Sequence, residues 1–295
     1  MSAAGPLLGA SAGREGGSAE RVWAERWRQL LVVARLEVRK TFLRPRTFPV
    51  YLLAAIPIFL TSMFALLVVT GAMADEAAGI QQNINVMFAG TFTLIQRFSI
   101  YFSCVWLFVN LFRGELIDRT LHYPFLAPVR REILLVGKFV AGVALVGVLY
   151  TLTTTACFGI LHLPFLSEGG VSELVGSGAV RQLFSYVLVA VLGCVGYGAL
   201  FALIGLLFKN PIVPALVIWL YELINYLLPP LIKKVSVIYY LESLRPLQLG
   251  TGGFAIVGQP TSPWVSVPGI LAVTVVLLAL AAWRLRRLEI DYSSE

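Results

Sequence analysis

Long, uninterrupted apolar runs dominate this chain. Six are long enough to be read as membrane-crossing helices: Phe48–Ala72, Phe88–Phe112, Phe139–Leu163, Leu183–Phe208, Ile212–Ile232 and Val265–Trp283. They hold 19 to 26 residues each, and a helix needs about 20 mostly apolar residues to cross a ~30 Å hydrocarbon core. The runs are continuous rather than alternating, which excludes the strand pattern of a membrane barrel. The pattern predicts an all-α membrane protein with six transmembrane helices. The fifth run is the most interrupted, with Pro211, Pro214, Pro229 and Pro230 around it and Glu222 inside it.

Three segments outside these runs carry a pattern of their own. In residues 21–43 the apolar positions Trp23, Trp27, Leu30, Leu31, Ala34, Val38 and Phe42 recur at helical spacing. Arg21, Arg28, Arg35 and Arg39 lie mostly off that stripe. An aromatic and aliphatic face opposite an arginine face predicts an amphipathic helix lying in the headgroup plane. It serves either as a basic topology anchor or as a surface that docks a partner. Arg44-Pro45-Arg46 ends it and turns the chain toward the first run. Residues 113–138 are too polar to insert and are broken by Pro124 and Pro128. A polar connection of that length normally has a use. Residues 233–264 are half apolar, with Val235, Ile238, Tyr239, Leu241 and Leu244 before Pro246, and predict an outer segment that dips back toward the bilayer or caps the assembly, or equally one that packs on its own spans. Residues 1–20, rich in Gly, Ala and Ser, read as a disordered tail without a cleavable signal.

Composition agrees with this pattern. Of the 295 residues, 58% are apolar and 13% charged, and the mean hydropathy is +0.82; a soluble domain carries about 25% charged residues. The net charge of +7 points away from nucleic acid once its placement is considered. With the N-terminus inside, 18 of the 23 Lys and Arg fall on inside segments and 4 on outside segments, with Arg97 in the second run. The positive-inside bias therefore predicts that both termini are cytoplasmic. Cys104, Cys157 and Cys194 lie within apolar runs and read as small buried thiols rather than a disulfide framework.

Arg97 and Glu222 are the ionisable residues deep in the runs. Arg97 lies nine residues below Phe88 and Glu222 ten below Ile232, depths of about 13 and 15 Å from the same face. The matching depths predict an intramembrane charge pair, within a protomer or across a dimer, serving either as a packing and register device or in substrate passage or gating, with Gln96 and Asn225 close enough to join. Gly193, Gly196, Gly198 and Gly205 allow close helix approach, inside one bundle or at a dimer seam.

The inside loop carries a further pattern. Glu115, Thr120-Leu121, Leu126, Pro128-Val129, Arg131, Ile133-Leu134 and Gly137-Lys138 resemble the signature E-x-x-x-G-T-L…L…P-V-x-R-x-x-I-L…G-K of ABC-2 type permease subunits of ABC transporters. Arg119 stands where that family usually has Gly. The resemblance extends to the amphipathic helix before the first run, the six runs and the long outer segment before the sixth. It implies a six-span transmembrane domain over residues 44–295, with Glu115, Leu116, Thr120, Leu121, Leu126, Pro128 and Arg131 contacting an ATPase subunit. It further implies two copies of that ATPase, which would hold ATP and Mg, and a second permease protomer, identical or different. The setting implied is the cytoplasmic membrane of a bacterium. No G-x-x-x-x-G-K-[ST] phosphate loop occurs in the chain itself, so no cofactor and no catalysis are expected here.

The function so implied is ATP-driven export by alternating access. The few polar groups in the runs favour a hydrophobic or amphipathic cargo. The alternative is a related membrane subunit that acts mechanically on a partner, or regulates it, without transport. A membrane-embedded enzyme is disfavoured. No H-E-x-x-H occurs, His122 and His162 fall on opposite sides, and Asp75, Asp118 and Asp291 do not cluster to hold Mg²⁺.

Overall fold

The computed structural model describes residues 28–29, 31–38, 40–42, 45–72, 79, 83–117, 131–165, 178–224, 229, 236–247 and 262–287, without the side chains of 112–117 and 131. All of its elements are helical. A short 3-10 turn, Pro45–Thr47, leads into α1 (Phe48–Val69). Helix α2 (Ile84–Thr91) passes through a π turn at Phe92–Gln96 directly into α3 (Arg97–Ile117). Then come α4 (Arg131–His162), α5 (Ala179–Leu207), α6 (Ile212–Leu223), α7 (Val237–Leu244) and α8 (Pro263–Arg286). The tail 1–20, the start of the N-terminal helix and residues 248–261 lie outside the described residues.

Five helical stretches are long and apolar enough to cross a membrane: Pro45–Val69, Ile84–Leu111, Glu132–Phe165, Ala179–Leu207 and Pro263–Arg286. This is a multi-pass membrane protein. The fifth predicted run is described as helix only over α6, 12 residues, about 18 Å at 1.5 Å per residue, too short to cross alone. Residues 225–228 and 230–232 of that run lie outside the described residues.

Helix α5 is the hub. In its most apolar window 72% of residues are buried, against 17% for α1 and 22% for α8, which present most of their apolar surface outward. It packs against α3, α4, α7 and α8. Small residues make those contacts possible. The Phe108 ring sits between Gly142 of α4 and Gly198 of α5, and a Cβ at either glycine would come within 2.7 Å of it. At Gly205 a Cβ would meet the Val109 Cα at 3.4 Å, so α3 and α5 touch there through main chain. The glycines therefore serve packing within one bundle. Cys104, Cys157 and Cys194 are buried free thiols, as expected from their apolar surroundings.

The structure bears on two segments outside the runs. In the outer segment 233–264 the described helix α7 is a buried wedge between α5 and α8, which is the alternative of packing on its own spans. Val237, Ile238 and Leu241 are 3%, 1% and 7% exposed. Gly196 and Gly193 of α5 leave room for Val237 and Leu241, and Gly269 of α8 for Tyr240. In the N-terminal segment residues 31–38 are helical. Ala34 of the expected stripe faces inward beside Glu37, while Leu31 and Phe42 are exposed, and the Lys138 Nζ of α4 lies 2.9 Å from the Glu37 Oε1. Trp23, Trp27, Leu30, Arg21 and Arg39 lie outside the described residues.

The cradle around Phe108 predicts a graded response in thermal unfolding of the purified chain. Gly198→Leu should destabilise it by about 1–3 kcal/mol, because the side chain must displace the ring. Gly147→Ala, where a Cβ meets nothing within 4 Å inside a helix, should leave stability unchanged or raise it by up to about 1 kcal/mol. Equal effects would show that the cradle is not tightly packed.

Candidate functional site

Charged and polar side chains from α3, α5, α6 and α7 converge around the π turn. An inserted residue in a helix re-aims its neighbours, and such π turns recur at functional sites. Here the turn places Thr93 and Arg97, one inside it and one directly after it, along a common cavity. Arg97 Nη2 donates to the main-chain carbonyl of Glu222 at 3.4 Å, and Arg97 Nη1 lies 3.8 Å from the Glu242 carboxylate.

Arg97 and Glu222 are thus neighbours, as their depths suggested, but not as a direct side-chain pair. The Glu222 carboxylate accepts instead from the Tyr197 hydroxyl at 2.7 Å and the Ser236 hydroxyl at 3.4 Å. It is 4% exposed. The Tyr101 hydroxyl donates to the Ala215 carbonyl at 2.7 Å and ties α6 to α3. Gln96 does not join the Arg97 group. It turns to Thr154 of α4, with which it hydrogen-bonds. Asn225 lies outside the described residues.

The acidic partner of Arg97 comes from α7. Glu242 Oε1 also lies 3.2 Å from the Arg245 guanidinium, so one carboxylate serves two cations. Arg245 Nη1 donates to the Thr93 hydroxyl at 2.6 Å, and Arg245 Nε is buried without an acceptor among the described residues. The cavity flanked by these groups takes in about 370 Å³ including its open mouth. Apolar side chains, among them Ile100, Val189 and Leu241, form the rest of its wall.

Sequence reasoning missed Glu242, Arg245, Tyr197 and Ser236 as site residues. A signal was present for two of them. Val237, Ile238 and Leu241 mark one face of a short helix, which sets Glu242 and Arg245, three residues apart, together beside it.

A second polar cluster lies at the other end of the bundle, where the 118–130 connection leaves α3 and enters α4. Lys138, paired with Glu37, also donates to the Leu111 carbonyl at 3.4 Å. Its side chain is 3% exposed and that of Glu37 10%. Arg286 at the end of α8 pairs with Glu132 at the start of α4. Glu115 and Leu116 fall on the last turn of α3, and Arg131 is the first residue of α4. Thr120, Leu121, Leu126, Pro128 and His122 lie outside the described residues. His162 is buried at the end of α4, its Nδ1 2.8 Å from the Phe158 carbonyl.

No protein-family model matches the chain, and comparison with curated proteins returns no match.

The Glu222 environment gives a stability prediction. Tyr197→Phe leaves a buried carboxylate oxygen without its donor and should lower unfolding stability by about 1–3 kcal/mol. The double variant Tyr197→Phe/Glu222→Leu should recover part of that loss, since neither partner then remains unpaired. A double variant as unstable as the sum of its singles would show that the two side chains act independently.

Proposed function

We propose that this chain is the membrane-spanning permease subunit of an ATP-driven ABC exporter of the ABC-2 type. The observation that carries the reading is the Glu115…Lys138 pattern, which falls on the connection between two long apolar helices, α3 and α4. In that reading residues 113–138 form the coupling segment against a separate ATPase, with Glu115, Leu116, Thr120, Leu121, Leu126, Pro128 and Arg131 at the contact. Two ATPase copies and a second permease protomer complete the assembly. The membrane is the bacterial cytoplasmic one, with both termini on the cytoplasmic side.

The arrangement of charges at that end supports the reading. A connection that transmits a push needs stiff attachment at its base. Lys138 binds the N-terminal helix through Glu37 and the end of α3 through the Leu111 carbonyl, while Glu132 binds α8 through Arg286. A displacement of residues 118–130 would therefore move several helices together rather than flex one loop. The placement of α7 inside the bundle supports export over mechanical control of an outside partner, because the described part of the outer segment is folded against the spans.

Copurification with the ATPase encoded beside this chain is the test. The wild-type pair should form a stable complex that hydrolyses ATP, and Glu115→Ala/Leu121→Asp should lose both the complex and the activity. Lys138→Met should retain binding but lower ATP-driven transport several-fold, because the contact survives while its attachment is loosened. If no ATPase binds, or the loop variant behaves like the wild type, the coupling assignment fails.

A further inference from the structure

The cavity beside Arg97 points to a ligand class. We infer that it holds the anionic head group, a phosphate or carboxylate, of an amphiphile whose apolar part lies along the cavity wall and leaves through its mouth. As a statement about cargo this rests on the export reading; as a binding site it stands without it.

Four observations converge on it. The first is charge: two guanidinium groups and one carboxylate line the cavity, so the lining itself carries one net positive charge. The Glu222 carboxylate is outside that lining, held by the hydroxyls of Tyr197 and Ser236. The second is an unused donor. Arg245 lines the cavity with its side chain 11% exposed, and its buried Nε lacks an acceptor among the described residues. A buried donor of this kind is costly unless something accepts from it. An oxyanion is the acceptor that a guanidinium fork fits best.

The third observation is the wall. Phe92, Ile100, Val189, Ile238 and Leu241 surround the charges with apolar surface. A free small anion would lose its hydration there and gain nothing from these side chains, whereas an amphiphile uses both. The fourth is shape: the cavity is small and open on one side, so it takes the oxyanion of a head group while the rest of the amphiphile lies outside.

The experiment uses the full chain, purified in a neutral detergent and stripped of lipid. Binding is read by native mass spectrometry with three probes: phosphatidylglycerol, phosphatidylcholine and inorganic phosphate. Phosphatidylglycerol should bind at least tenfold more tightly than phosphatidylcholine, and phosphate should not displace it at equal concentration. Arg245→Gln should remove that preference. So should Gly193→Leu, which fills the cavity and leaves every charge in place. Equal binding of the two lipids overturns the proposal, and so does a Gly193→Leu variant with unchanged preference. Displacement by phosphate at equal concentration overturns the amphiphile and leaves a plain anion site. Should either variant fail to fold, the wild-type comparison still decides. Lipid preference without ATPase binding would defeat the export reading alone, and ATPase binding without lipid preference would defeat this one alone.

Discussion

A charged side chain set among apolar helices has to be given partners by the fold, since water is not there to serve. That constraint organises the middle of this molecule. Glu222 would be untenable on an isolated α6, and its position is made tolerable by hydroxyls that arrive from α5 and from the residue before α7. Arg97 imposes the same demand from α3 and is met by a main-chain carbonyl of α6 and a carboxylate of α7. The short helices α6 and α7 are therefore held in the bundle by the charges as well as by apolar burial.

Close backbone approach is the second requirement. Helices in an apolar solvent gain little from hiding apolar surface, so contact has to come from shape. The glycines of α5 answer this one by one: Gly198 receives the Phe108 ring, Gly205 the main chain of α3, Gly196 and Gly193 the side chains of α7. Because α5 contacts so many neighbours, its glycines set the spacing of the whole core. The outer helices α1 and α8, with little of their surface buried, are free to face lipid or another protomer.

The two ends of the bundle use their charges differently. At the end carrying the 118–130 connection, Lys138 with Glu37 and Arg286 with Glu132 join elements far apart in sequence. Around the π turn Arg97 and Arg245 share the Glu242 carboxylate beside a cavity, and hydroxyls hold the Glu222 carboxylate nearby.

The helical, membrane-crossing character of the chain was legible from sequence because it is a local property. About 20 consecutive apolar residues leave a chain in lipid no option except a helix, whatever its neighbours are. For the same reason Arg97 and Glu222 stood out: a charge in such a run is conspicuous without any knowledge of its surroundings. Their partners were not legible. Matching depth brought Arg97 to Glu222, yet the tertiary structure gives Arg97 the carboxylate of Glu242, in a segment whose eight-residue helix is too short to announce itself as part of the bundle. The attachment of the N-terminal helix likewise depends on Lys138, a hundred residues away, which pairs with Glu37. Local pattern determines what each segment is; which side chain it meets depends on distances that exist once the helices have packed.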